Sequence, residues 1–428
     1  MTRFPPVILL ALLASAGCAP RNAPATASGI ADPCLVPGAA RATLDIFLPD
    51  VPTAAAAPVP RTDAERFVYR QLYATLVRID CTGAPGADLA RRWTGDADGR
   101  RWRLELDERR FAGGERITAQ RVVESLAGRG LAEAQPWLAR VEAPGPYTLA
   151  ITLAGADSSL PEELADPSLA IAGPAARRAG WPEPTGPFRV TSSHDTMLVL
   201  ESVREGTAVT VRVRRARSAD PRDVLGAGGG LLVTRDPATL AYAERIGRYE
   251  IKPLAWERVY ALVAPAIPPL SMPGDSAARA EFRAQLARDA VAGAGAGAAR
   301  GAEPPYGATV AGFCRGEFPR GGSPRPRVVY PLGDPVARGL AERIVAIAPA
   351  RLTAVALPPA ELAPALAAGR DAAYVMPFDR TEAVACDDLR IPAGATVEPL
   401  VDTRAHLIVR RDGPTVTVDG DGVPRILP

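Results

Sequence analysis

Apolar and polar residues alternate over 42–48 (ATLDIFL), 102–106 (WRLEL) and 207–214 (TAVTVRVR), which predicts half-buried strands. Apolar residues return at helical spacing over 62–76, 334–347 and 359–368. They do so again over 277–291, where Phe282, Leu286 and Ala290 share a face. The stretch 141–153 reads as a strand pair turning at Pro144-Gly145. Segments 231–234, 256–263, 326–330, 352–357, 372–376 and 395–409 read as further strands, with a helix over 236–247. The small-residue run 292–300 reads as loop or frayed helix. A terminal hairpin is expected over 414–426, around Asp419-Gly420. Strands alternating with helices in the second half predict an α/β domain.

The segment 88–126 orders these elements most tightly. Asp98-Gly99 marks a turn, 102–106 alternates, Phe111 leads into Gly113-Gly114, and Thr118 is a good N-cap. Behind that cap, Ala119, Val122, Val123 and Leu126 fall on one helix face.

A chain of 428 residues predicts two or three domains with ample core. Fifty basic residues against 48 acidic ones leave no electrostatic case for nucleic acid. Residues 1–17 combine Arg3 with an apolar run at 7–14 that is too short to span a bilayer, and small residues precede Cys18. The stretch 18–33, rich in Ala and Pro, reads as a flexible tether. Cys34, Cys81, Cys314 and Cys386 remain, enough for two disulfides in any of three connectivities if the chain is exported. Their spacing fits no zinc pattern, and with two histidines in the chain no metal site is expected.

Chemistry of the catalytic kind has little to stand on. Ser193-His194-Asp195 are consecutive, which cannot place three side chains around one reacting atom. The Gly226–Gly230 run lacks the Gly-Lys-Ser/Thr of a phosphate loop. His406 sits in an alternating strand and reads as structural. No enzyme and no cofactor is expected.

The wording of 88–126 resembles the signature of extracellular solute-binding proteins of family 5, the peptide, dipeptide and nickel binders of ABC importers. The matching pieces are Leu89-Ala90 with Trp93, Asp98-Gly99, the strand 102–106, Phe111 with Gly114, and Thr118-Ala119 with Val122. Leu72-Tyr73 with Leu76-Val77, the run APGPYTLAITL and the Thr185-Gly186-Pro187 turn are similar to the family as well. Its Asn-Pro-x-Tyr-Trp element is missing, and so is a long piece after Asp379. Ser15-Ala16-Gly17 before Cys18 resembles a lipobox; the alternative is an ordinary signal peptide with an incidental cysteine.

The resemblance implies an α/β, two-lobe, periplasmic-binding-protein-like fold (type II, cluster C-like) with mixed sheets and a reduced second lobe. Lobe I would span 34–260, with 379–428 returning to it, and lobe II 261–378. It favours the pairings Cys34–Cys81 and Cys314–Cys386. It implies a lipid-anchored, exported monomer that hands a small molecule or peptide to permease subunits. The ligand cleft would involve Thr185, Gly186, Trp256, Tyr260, Tyr306, Tyr374, Phe378 and Asp379. The competing reading is a degenerate relative, a scaffold or sensory envelope lipoprotein without transport, which the missing piece after Asp379 favours.

Overall fold

The computed structural model describes residues 32–39, 41–128, 135, 137–175, 180–204, 206–217, 220–265, 280–282, 284–289, 297–303, 325–348, 351–380 and 395–428. The chain enters through β1 (Leu35–Val36) and β2 (Arg41–Leu48), then α1 (Asp63–Leu72). Thr62 caps α1 by accepting from the Glu65 N–H, and the Glu65 carboxylate accepts from Arg61 N at 2.7 Å. The expected helix to residue 76 stops at Leu72. Tyr73 turns extended, Ala74 N donates to Thr185 Oγ1 at 2.9 Å, and Ala74 bridges to Ile171. A tertiary hydrogen bond thus outcompetes another helical turn. A short hairpin follows, β3 (Val77–Ile79) with β4 (Pro85–Ala87).

Next comes the signature segment. β5 (Ala90–Gly95) and β6 (Arg101–Leu106) form a hairpin, with Gly99 at φ +64° in its turn. The Thr118 hydroxyl accepts from Arg121 N at the start of α2 (Ala119–Ala127). β7 (Leu138–Gly145) and β8 (Thr148–Leu153) complete a four-stranded sheet in the order β5-β6-β8-β7. Their turn lies at Pro146-Tyr147, two residues beyond the expected place. Leu104, Leu106, Phe111, Ile117, Val122, Leu149 and Ile151 form one core under this sheet.

After a short helix, α3 (Leu160–Glu163), the pair β9 (Ala172–Ala175) and β10 (Pro182–Pro184) leads to β11 (Phe188–His194), β12 (Met197–Ser202) and β13 (Ala208–Arg215). The last of these lies parallel to β2, closing a second sheet in the order β11-β12-β13-β2. α4 (Pro221–Gly226), β14 (Leu231–Thr234) and α5 (Pro237–Ile246) follow, with Asp236 capping α5 and Gly247 ending it at φ +72°.

The rest of the chain is organised by two long strands, β15 (Tyr249–Pro265) and β20 (Ala395–Arg410), paired antiparallel along nearly their whole length. Seventeen residues at about 3.3 Å each give β15 a reach of ~55 Å, enough to run through two separate cores. One end joins β14, and Leu254, Ala405, Leu407 and Val409 pack into the core built on α1 and β2. The other end joins β17 (Arg325–Pro331), β18 (Thr353–Leu357) and β19 (Asp371–Asp379), and the short β16 (Ala299–Gly301) pairs with β20. The strand at 299–301 corrects the loop expected there. α6 (Pro335–Ile347) covers one face of this end with Leu340 and Ile344; α7 (Pro359–Ala368) covers the other with Leu362 and Leu366. Register shifts between Pro253 and Arg258 locally break the ladder between the two ends.

The terminal hairpin of β21 (Thr415–Val418) and β22 (Pro424–Leu427) adds β1 to its edge. The Cys34–Cys81 disulfide, Cα atoms 5.5 Å apart, ties this small sheet to the end of β3. Buried charge ties it again. Arg425, 7% exposed, donates to Asp88 Oδ2 at 3.1 Å and to Asp419 Oδ2 at 3.2 Å. Arg109 also reaches Asp88, Arg70 pairs with Asp419, and Gln71 Oε1 accepts from Ile426 N at 2.8 Å. Cys18, Cys314, Cys386 and Tyr306 lie outside the described residues.

Candidate functional site

The residues that mark where β15 and β20 pass between cores are unusually polar. Trp256 pairs with Arg404 across the ladder, and two guanidinium groups, Arg300 and Arg404, each lie over its ring at 4.5 Å from the centroid. Arg404 is held from behind by the Gly297 carbonyl at 2.5 Å. Arg300 Nε donates to Asp402 Oδ2 at 3.3 Å, and Arg380 Nη1 to the same oxygen at 2.5 Å. Asp402 has no exposed surface, and its Oδ1 has no partner among the described residues.

Burial pushes the Asp402 carboxyl above the ordinary carboxylate range, and Arg380 offsets only part of that. Burial likewise pushes Arg404 down, helped by Arg300, and pushes His406 down, helped by Arg404.

A cavity of about 310 Å³ opens between the start of α5 and the flank of α6. Leu286, Ala299, Val336 and Leu340 give it apolar walls, and an Arg343–Asp289 ion pair stands among its lining residues. Two of its lining residues carry buried polar atoms without partners, Thr403 Oγ1 and Arg235 Nε. Thr403 is 2% exposed, and Arg235 uses its Nη2 on Glu257. The first amides of α6 are already taken, because Asp334 Oδ1 accepts from Val336 N at 3.0 Å and from Ala337 N at 2.9 Å. The cavity walls are therefore largely apolar, and neither Thr403 Oγ1 nor Arg235 Nε has surface open to it.

The eight residues expected near a ligand scatter over several settings. Trp256 is half-buried at the crossing. Asp379 ends β19 opposite Arg258, two residues beyond Trp256. Phe378 and Tyr260 share that ladder but are packed. Phe378 is in the core beneath α7, and the Tyr260 hydroxyl donates to the Asp334 carboxylate at 2.9 Å. Tyr374 is buried in the same core as Phe378; its hydroxyl donates to Ala365 O at 2.7 Å. Burial raises the pKa of both Tyr260 and Tyr374, so neither is poised for proton transfer.

Thr185 and Gly186 lie away from the crossing, against the end of α1. Thr185 Oγ1 donates to Ile171 O at 2.7 Å, and Gly186 N donates to Leu72 O at 2.8 Å. A Cβ on Gly186 would come within 2.7 Å of Gln71 O, so glycine is there for close backbone approach. The crossing thus brings together Trp256, Tyr260, Phe378 and Asp379; it does not gather Thr185, Gly186 or Tyr374.

Arg235, Arg300, Thr403 and Arg404 were not foreseen. Nothing in the spacing of four such residues marks them, since β16, β14 and β20 meet only in three dimensions.

This mixed α/β arrangement of several sheets around the long β15–β20 pair is similar to the periplasmic-binding-protein fold of type II. The solved structures similar to it include NikA from Brucella suis in complex with Fe(III)-EDTA. That match has TM-score 0.64 and 14% identity, covering 90% of this chain and 100% of that one. The murein tripeptide binding protein MppA, in its unliganded open form, matches at TM-score 0.59 and 14% identity, over 91% and 98%. DppA from Helicobacter pylori, in complex with the peptide STSA, matches at 0.56 and 13%, over 90% and 98%. No family model matches the sequence, and no curated protein does.

Proposed function

We propose that the chain is a solute-binding protein of family 5 that serves an ABC importer. It would be exported and lipid-anchored through Cys18. It closes two lobes, 34–260 with 379–428 and 261–378, on a small solute, and it works as a monomer alongside permease subunits. The observation that carries this reading is the paired crossing of β15 and β20 beside a cavity lined from both sides, by Arg235 and Pro237 before and within α5 and by Val336 and Leu340 of α6. The broken ladder between Pro253 and Arg258 supplies a place for hinge bending.

Peptides are the first ligand class to try, because one neighbour is described as a murein tripeptide binding protein and another is in complex with a peptide. Trp256 and Asp379 are the proposed contacts from the crossing, with Tyr260 and Phe378 packed beneath it and Tyr374 buried in the core alongside. Thr185 and Gly186 set the position of α1.

Closure needs a ligand that binds the closed state better than the open one. Small-angle X-ray scattering of the purified chain, titrated with dipeptides to tetrapeptides, should show a smaller radius of gyration at saturation. If neither these peptides nor amino acids nor metal chelates compact the protein, the transport reading fails and the non-transporting scaffold or sensory lipoprotein takes its place.

A further inference from the structure

The largest sheet ends in a strand with an open side. Its path runs β14-β20-β15-β19-β17-β18, so β18 (Thr353–Leu357) is the outer strand at the end that α6 and α7 cover. Among the described residues no strand pairs with its far side.

β18 runs parallel to β17, with Val355 opposite Val329 and Leu357 opposite Pro331. Leu332 N donates to the Leu357 carbonyl at 2.8 Å. In a parallel ladder the N–H and C=O of one residue point to the same side, and the side alternates along the strand. The backbone groups of Thr353, Val355 and Leu357 therefore face β17, and those of Ala354 and Ala356 face outwards. Such an edge is a template for another strand, and it is usually blunted by lysine, proline or an inward charge. Here the strand reads Thr-Ala-Val-Ala-Leu and carries none of these.

The edge is also complementary to itself. Arg351 precedes the strand, and Glu361 sits in the first turn of α7 that follows it. Both are exposed, and neither has an ion-pair partner among the described residues. A two-fold axis through Val355 sets Ala354 of one copy opposite Ala356 of the second, and residues opposed in this way exchange both of their N–H···O=C bonds. The same axis brings the Arg351 end of each chain beside the Glu361 end of the other.

We infer that two copies of this chain pair antiparallel along β18, joining their sheets into one. β17 and β19 stand between β18 and β15, so the pairing leaves the crossing free. This goes beyond the solute-binding reading: the chain that serves a permease is single, and the pair forms among chains not so engaged. The contact is small, so pairing is weak and reversible. Confinement to a surface raises the effective concentration and favours it.

Sedimentation velocity of the whole chain over about a hundredfold range of concentration should show monomer giving way to dimer. Amide exchange at Ala354 and Ala356 should slow as the dimer forms. Ala356→Pro removes an outward N–H at an edge position, where proline is tolerated, and should weaken pairing about tenfold or more. Arg351→Glu should weaken it severalfold, and adding Glu361→Arg should restore it, which damage to the fold would not do. Urea midpoints of the variants should match the parent.

The inference is overturned if the chain stays monomeric throughout, if the two amides are already protected in the monomer, or if folded Ala356→Pro pairs as well as the parent. If Ala356→Pro does not fold, the Arg351 and Glu361 variants decide alone, and a dimer indifferent to both charge changes overturns it. Compaction by a solute is read on the single chain, so loss of pairing and loss of the solute-binding reading are told apart.

Discussion

Arg425 offers the sharpest test of what holds the fold together. It comes from the last strand, β22, and its guanidinium is buried between Asp88, which opens the signature segment, and Asp419 in the terminal turn. Burial works against its charge, yet the two carboxylates push its pKa above the ordinary arginine value. The contribution is therefore fully present at neutral pH and would be lost only above the unfolded arginine pKa.

Arg425→Met keeps most of the aliphatic stem and removes the charge. Two charge-assisted bonds, at 3.1 and 3.2 Å, disappear. Each is worth about 1.5–3 kcal/mol, and breaking a buried pair from one side costs about 3–5 kcal/mol. Arg109 still reaches Asp88 and Arg70 still reaches Asp419, which argues for the lower end, about 3 kcal/mol. Urea unfolding followed by circular dichroism reads the loss as a lower midpoint at unchanged slope. Arg425→Lys, which restores charge without the two-pronged geometry, should fall between. The triple change Arg425→Met, Asp88→Asn, Asp419→Asn should recover part of the loss, because no carboxylate is then stranded. A cost below about 1 kcal/mol for Arg425→Met would refute the reasoning, since a buried ion-pair network that loses its central cation should cost more than that.

Two further outcomes follow from the same structure. His406 is 6% exposed with its pKa pushed down by burial, so the unfolded chain takes up a proton that the folded one refuses. Stability should be full above the unfolded value near 6.5 and fall as pH drops below it, by at most ~1.4 kcal/mol per pH unit. Urea midpoints across that range should lose this slope in His406→Gln, and a slope that persists assigns the effect elsewhere. Opening the Cys34–Cys81 disulfide, whose partners are 47 residues apart, should cost about 4 kcal/mol on the chain-entropy estimate. Cys34→Ser compared with the parent under non-reducing conditions would show it, and equal midpoints would mean that β1 adds nothing to the terminal sheet.

Local structure was legible in the sequence wherever one residue type does one local job. Asp98-Gly99 made a turn because glycine tolerates φ +64° there, Thr118 capped α2 because its hydroxyl reaches Arg121 N, and Trp102–Leu106 alternated because one face of β6 is buried. Asp236 and Gly247 bounded α5 for the same kind of reason. The tertiary structure decided everything that depends on distant partners. α1 ends at Leu72 because Thr185, more than a hundred residues on, takes the Ala74 N–H. Asp88 reads in the sequence as a polar residue before a strand, and only folding places it opposite Arg425, 337 positions away. Trp256 stood out as an aromatic at a crossing, but the two arginines over its ring come from β16 and β20. Tyr374 and Phe378 looked like ligand walls and are core, because α7 covers their face of the sheet. Hydrophobic period and turn chemistry act over a few residues and can be read along the chain. The partnering of charges and the choice of covered face are settled by long-range packing, and no local pattern encodes them.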